Sequence, residues 1–122
     1  FNRVNSNKIF LKIDIEGSEY RILEDLIKYQ NNISGLVIEF HNIDLHMERI
    51  LEFIKNFNLK LVHIHGQNPG GKDYLDINGD PIQIELTFSS YSKFKHIDPC
   101  IPHELDQPSD SRYKDTDLKF MV

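Results

Sequence analysis

The stretch Ile9-Phe-Leu-Lys-Ile-Asp-Ile-Glu-Gly-Ser-Glu19 decides the fold of this chain. Its first seven residues are largely apolar, and the Gly-Ser pair that follows leads into apolar residues at helical spacing. This order is typical of a buried parallel strand that turns into a helix. Asp14 and Glu16 stand two residues apart where the strand ends, and alternation along a strand predicts that both point to one side. Open α/β sheets bind ligands at the carboxyl ends of their strands, so we predict a functional site at the end of this strand.

Composition limits the class of protein. The chain has 122 residues, of which 39% are hydrophobic, as expected for one globular domain with a core. A net charge of -5 without a cluster of Lys and Arg argues against nucleic acid or an anionic membrane as a partner. No stretch is long and apolar enough for a membrane span, and no signal peptide is visible. The single Cys100 cannot form an internal disulfide, which favours a cytoplasmic setting.

Patterns downstream predict the remaining elements. Apolar residues recur at helical spacing after Ser18 and again after Asp44, which predicts two helices with these residues as N-caps. Short apolar runs at 35–41 and 59–65 predict strands, and a strict alternation later in the chain predicts a further one. The predicted order is β-α-β-α-β-β. Because a loop rather than a helix joins the last two strands, the last one should run antiparallel to its predecessor.

The start of the sequence suggests that the chain begins partway through a domain. After a short polar segment from Phe1, the chain enters a strand that reads as covered on both faces, and such strands lie in the middle of a sheet. We therefore expect partner strands upstream of this sequence. We expect one partial domain over residues 1–122, with an α/β core in 1–90 and a loop-rich tail in 91–122. The first strand, if uncovered, could support self-association.

Five motifs together resemble the FkbM-type methyltransferase family. In order along the chain they are Leu11 to Glu19, Val37 to His41, His63 to Asn68, Ile84 to Phe88 and Leu105 to Pro108. The resemblance implies the C-terminal half of a Rossmann-like class I methyltransferase fold, with a mostly parallel sheet and an antiparallel last strand inserted between two parallel ones. It also implies methyl transfer from S-adenosylmethionine to an oxygen, typically a hydroxyl of a sugar, glycan or secondary metabolite.

One part of the family pattern is missing. Members begin with a strand and a glycine-rich turn that approaches the cofactor, and no such segment is present here. Gly70 and Gly71 do not substitute for it, because no helix N-terminus follows them in the predicted loop between two strands. No cofactor-binding residue is therefore assigned. We expect the chain to carry the acceptor side of the crevice and to be inactive without the cofactor-binding half.

Polar residues at the predicted strand ends supply the candidate chemistry. Methylating a hydroxyl requires a base that removes its proton and contacts that hold it in line with the methyl group. Histidine titrates near neutral pH and is the natural candidate base, although the sequence does not decide which histidine acts. The catalytic candidates are Asp14, His41 and His63, and the substrate-binding candidates are Glu16, Glu39 and His65.

Other interpretations of the same residues remain open. Asp-x-Glu, Glu-x-His and His-x-His at neighbouring strand ends could bind a divalent metal, as in a metal-dependent hydrolase or a metal-assisted transferase. A non-catalytic interaction domain is a third possibility. In the simplest case, Glu16 and Glu19 only accept backbone N–H groups at the helix start, and one histidine is a hydrogen-bonded core residue.

Overall fold

The computed structural model describes residues 8–91 and 103–114. The strands and α-helices follow the predicted β-α-β-α-β-β order. They are β1 (Ile9–Ile13), α1 (Leu23–Lys28), β2 (Ile33–His41), α2 (Ile43–Asn56), β3 (Lys60–Gln67) and β4 (Gln83–Ser89). Three short 3-10 helices lie at Glu19–Arg21, Gln30–Asn32 and Gly71–Tyr74.

The four strands form one mixed sheet in the order β1-β2-β4-β3. β1 and β2 pair in parallel, whereas β4 pairs antiparallel with both β2 and β3. The expected insertion of an antiparallel last strand between two parallel ones is confirmed. The prediction of a mostly parallel sheet is wrong for the pairings, of which two in three are antiparallel. The physical reason is the connection from β3 to β4, which contains no crossover helix and so reverses the chain. β4 then lies between β2 and β3, which run in the same direction.

One face of the sheet is covered by the two helices. Rows of paired residues place apolar side chains on this face, and all of them are buried: Leu36 with Phe88, Ile38 with Leu86, and Phe40 with Ile84. From α2, the ring of Phe53 packs 6.4 Å from that of Phe40 and 5.7 Å from that of Phe88. Each such side chain stabilises the fold by about 1.5–3 kcal/mol through burial. This helical face contains the hydrophobic core.

The opposite face of the sheet is polar. The alternating residues of β2 and β4 place Glu39 and His41 on this face, paired with Glu85 and Gln83 respectively. A salt bridge of 3.0 Å joins the Lys12 Nζ atom of β1 to Glu85 and passes over β2, which lies between them. Both α-helices contribute their buried residues to the core on the other side of the sheet. The candidate binding residues therefore lie on the polar face, outside the core.

Residues 103–114, which we call the strap, cover the β3 side of the polar face. Asp106 bonds to His63, Ser109 bonds to Gln67, and the Lys114 carbonyl accepts from Asn68. The strap consists of turns and bends without a helix or strand. It is the described part of the predicted loop-rich tail, and Cys100 lies outside the described residues.

β1 differs from its prediction. Among the described strands, it lies at the edge of the sheet and pairs with β2 alone. Its Phe10 side chain is 64% exposed and lies on the polar face against Gly35, where an added Cβ would come within 2.6 Å of the ring. Only Leu11 and Ile13 pack against the core. The prediction of a strand covered on both faces is wrong, because in the described residues the helices cover one side only.

The helix starts also differ from their predictions. Ser18 precedes the 3-10 helix and makes no capping hydrogen bond through its side chain, and α1 begins only at Leu23. The N-cap of α2 is Asn42, with a left-handed φ of 52°, rather than Asp44 in the first turn. Asparagine tolerates this conformation better than most residues.

None of the described helices has both the length and the apolar character that a membrane crossing requires.

Candidate functional site

The site lies where β1 and β2 end on the polar side of the sheet. After β1, Glu16 and Gly17 both adopt left-handed conformations, with φ of 54° and 96°. This tight turn brings Glu16 back towards the end of β2. Asp14, Glu16 and His41 each offer an atom that lies within 4.8 Å of the other two. The two carboxylates meet as predicted, but the turn brings them together, since Asp14 already lies beyond the strand.

Glu19 lies beneath this site and is buried. Its side chain is completely buried, and its Oε1 atom accepts hydrogen bonds of 3.2 Å from the backbone N–H groups of Ile15 and Gly17. The same oxygen lies 3.0 Å from Nδ1 of His41. Because a carboxylate accepts hydrogen bonds, Nδ1 carries a proton and donates it. Glu19 therefore fixes both the turn and the orientation of the imidazole.

His41 directs its second nitrogen towards the other carboxylates. Nε2 lies 3.4 Å from Glu39 Oε1 and 3.6 Å from Glu16 Oε2. A charge-assisted hydrogen bond between such groups measures about 2.7–2.9 Å, so neither carboxylate holds Nε2 tightly. The backbone at His41 is held as well, since the Tyr20 hydroxyl donates to the His41 backbone carbonyl at 2.6 Å. His41 is thus oriented at one nitrogen and available at the other.

Glu39 is buried beside His41 and is held by two glutamines. Nε2 of Gln67 donates to Glu39 Oε2 at 3.1 Å, and Nε2 of Gln83 donates to Glu39 Oε1. Burial raises the pKa of the Glu39 carboxyl, and the negative charge of Asp14 raises it further, against the lowering effect of the Gln83 hydrogen bond. The glutamines were not among the predicted site residues. Both glutamines lie in the same row of paired residues as His41. Recognising this from the sequence would require knowing the register of β4.

His63 and His65 do not join this cluster. β4 separates β3 from β2, which sets their strands about 10 Å apart. His65 is buried in the row of Glu85, whereas His63, one-third exposed, pairs with Thr87. The sequence placed all three histidines at one edge, but the structure places only His41 next to Asp14 and Glu16. The roles predicted for His63 and His65 remain predictions.

His63 instead binds the strap. Its Nε2 donates to Asp106 Oδ1 at 2.8 Å, and Asp106 Oδ2 accepts from the backbone N–H of His103 at 2.8 Å. Burial alone would raise the pKa of Asp106, but the hydrogen bonds from His103 and His63 outweigh it and hold the pKa below its usual value. Asp106 was not predicted as a site residue, because 43 positions separate it from His63. No local signal reveals such a pair.

The Asp14, Glu16 and His41 group has the chemistry of a divalent cation site. Around a six-coordinate ion with bonds near 2.1 Å, ligand atoms lie roughly 3 to 4.2 Å apart. The 3.6 Å between His41 Nε2 and Glu16 Oε2 falls within that range. Glu19 would serve as the outer carboxylate that orients the histidine, a common arrangement at metal sites. These residues therefore present the kinds of atom that coordinate a divalent metal or accept hydrogen bonds from hydroxyl groups.

Unlike a divalent metal, S-adenosylmethionine has no matching binding motif in the described residues. No glycine-rich turn in them connects a strand to a helix N-terminus. At Gly70 an added Cβ would lie 2.3 Å from the Tyr74 ring, and at Gly71 it would lie 2.9 Å from the Tyr113 ring. The protein's own aromatic side chains therefore occupy the space around this glycine pair.

A groove of about 460 Å³ lies between α1 and α2 on the helical side, and none of Asp14, Glu16 and His41 lines it.

Comparison with known proteins gives no match: no family model, no curated protein and no solved structure is similar to this chain.

Proposed function

We propose that this chain provides the acceptor side of an S-adenosylmethionine-dependent O-methyltransferase. The acceptor is a hydroxyl of a sugar, glycan or secondary metabolite. Three features support the proposal: the motifs that resemble the FkbM-type family, the reversed strand β4 between β2 and β3, and the polar residues at the ends of β1 and β2. The hydrogen bond between Glu19 and His41 is the observation that carries it.

That hydrogen bond suits a general base. With Nδ1–H donated to a buried carboxylate, Nε2 of a neutral His41 presents its lone pair outward and accepts the proton of the acceptor hydroxyl. Glu19 then stabilises the imidazolium that forms, as the acidic residue does in a Ser-His-Asp triad. A well-placed base of this kind contributes roughly 10²–10⁴-fold to a rate.

The neighbouring carboxylates bind and orient the acceptor. Asp14 and Glu16 are exposed and accept hydrogen bonds from additional hydroxyls, while the buried Glu39 carboxyl places an oxygen 3.4 Å from Nε2. S-adenosylmethionine, when bound, supplies the methyl group. The described residues offer no site for it, so the proposal assigns them only binding of the acceptor and removal of its proton.

The test uses the full natural protein. We expect calorimetry to detect S-adenosylmethionine binding, and a panel of sugars and glycans to include one that causes release of S-adenosylhomocysteine. His41→Ala should lower this release about 100-fold or more while leaving S-adenosylmethionine binding unchanged. A protein that does not bind S-adenosylmethionine contradicts the proposal, as does a His41→Ala variant with full turnover.

A second candidate function is supported by the same cluster. If a divalent cation binds to Asp14, Glu16 and His41, the site becomes that of a metal-dependent hydrolase or a metal-assisted transferase. Nε2 of His41 would then be a ligand and could not act as the base. Mn²⁺ binding, followed by electron paramagnetic resonance, should in that case weaken at least tenfold in Asp14→Asn and Glu16→Gln. No binding of Mn²⁺ or Zn²⁺ at millimolar concentration would rule this candidate out.

A further inference from the structure

Two hydrogen bonds and one longer polar contact connect the strap to His41. Oγ of Ser109 donates to Oε1 of Gln67 at 2.7 Å. Nε2 of Gln67 in turn donates to Oε2 of Glu39 at 3.1 Å, and Oε1 of Glu39 lies 3.4 Å from Nε2 of His41. The strap therefore reaches the candidate site without touching it, through two buried side chains.

The direction of the Gln67 amide is the critical feature. A glutamine side chain carries an acceptor on one side and a donor on the other, so a flip exchanges their positions. Ser109 donates to the carbonyl oxygen of Gln67, and Gln83 donates to it more weakly at 3.3 Å. Both contacts turn the NH₂ group towards Glu39. With the carbonyl oxygen there instead, Gln67 would repel the carboxylate.

The strap is fastened independently of this contact. Asp106 is bonded to His63 on one side of Ser109, and the Lys114 carbonyl accepts from Asn68 at 3.3 Å on the other. Tyr113 also packs against Gly71. Ser109 is therefore held over Gln67 by contacts on both sides, which makes its position well defined.

We propose that Ser109 and Gln67 are positioning residues, through which the strap holds Glu39 in the orientation that the acceptor site requires. The inference rests on the proposed function, in which His41 is the base and the Glu39 carboxyl lies beside it. Neither Ser109 nor Gln67 touches His41, so they act through Glu39. Docking of the strap thus completes the acceptor site.

Steady-state kinetics of the full natural protein tests the catalytic part. We expect Gln67→Leu to lower kcat about tenfold with KM changed less than twofold, the size expected for loss of one hydrogen bond to a charged group. Ser109→Ala should lower kcat about threefold, and Ser109→Thr, which keeps the hydroxyl, should restore it. Ser90→Ala, at an exposed position just beyond β4, is the matched control and should have no effect. Equal kcat in all variants overturns the proposal.

An activity-independent measurement separates this inference from the proposed function. In ¹⁵N NMR spectra, the signal absent from Gln67→Leu identifies the Gln67 amide. We expect its NH₂ protons to exchange slowly in the wild type and at least fivefold faster in Ser109→Ala. Fast exchange in the wild type overturns the inference whatever the activity. Slow exchange in a protein without methyl transfer instead refutes the proposed function and the catalytic role, and leaves only the structural link.

Discussion

Two histidine–carboxylate hydrogen bonds on the polar face differ in what surrounds them. Glu19 and His41 are 3.0 Å apart, and Asp106 and His63 are 2.8 Å apart. Glu19 is fully buried within the first βα turn, whereas Asp106 belongs to the strap. The second nitrogen of His41 faces carboxylates, while Nε2 of His63 is itself the atom that binds the strap. The same chemical pair thus builds a site in one place and fastens a segment in the other.

The largest expected effect on stability comes from the buried pair. Glu19→Ala removes the acceptor of two backbone N–H groups and of His41, all in the interior of the βα turn. Each buried donor left without its acceptor costs about 1–3 kcal/mol, so the three together cost several kcal/mol. We expect that loss in the free energy of unfolding measured with urea. Glu19→Gln, which retains an acceptor oxygen, should lose clearly less; equal losses would show that the hydrogen bonds do not matter.

Removal of each histidine sharpens the comparison at the level of activity. His41→Ala should abolish most turnover, while His63→Ala should reduce it less than tenfold, because His63 lies on the far side of β4. The assay is S-adenosylhomocysteine release with the best acceptor found. If His63→Ala has the larger effect, the two pairs have the opposite roles from those proposed.

The pH dependence of strap docking distinguishes the second pair. The pKa of Asp106 is lowered in the folded protein, so its contribution is fully present above the unfolded value near 4. It is lost as the pH falls through the folded-state pKa. We expect strap amide protons to exchange faster relative to the core as the pH drops below about 4, after correction for intrinsic rates. Asp106→Asn should produce the faster exchange already at pH 7.

Asp110 provides the matched control for that measurement. Its pKa is lowered to about 2, but the cause is hydrogen bonding to Arg112 within the strap. Asp110→Asn should therefore leave the protection of strap amides at pH 7 unchanged. If both variants release the strap equally, the contact with His63 is not what holds it.

The smallest effect is expected from the exposed ion pair that passes over β2. Lys12 and Glu85 form a salt bridge of 3.0 Å across the polar face, and the Lys12 side chain is 63% exposed. Exposed ion pairs of this kind stabilise by about 0.2–1 kcal/mol. Lys12→Gln should therefore change the free energy of unfolding by less than about 1 kcal/mol, and the change should shrink at high salt. A larger loss would indicate that the two halves of the polar face are strongly coupled.

Part of the candidate site could be predicted because it depends on local geometry. The period of two along β2 places Glu39 and His41 on one face, whatever the strand order. The glycine after Glu16 similarly predicts a turn close to the end of β1. The proximity of Asp14, Glu16 and His41 follows from these two features together with the parallel pairing of β1 and β2.

The rest of the site depends on contacts between distant parts of the chain. Glu19 was recognised as an acceptor for backbone N–H groups, but its bond to His41 spans 22 positions and needs the docked βα turn. Gln67 and Gln83 meet Glu39 only through the register of three strands. The separation of His63 from His41 follows from the insertion of β4, which no pattern within β3 reveals.

Periods of 2 and 3.6 residues along the chain are enough to predict the kinds of element and the side of each strand on which the polar residues lie. Which of these polar residues meet depends on how the elements pack. Strand order, register and the path of the strap depend on packing energies summed over the whole core, in which no single stretch of sequence is decisive.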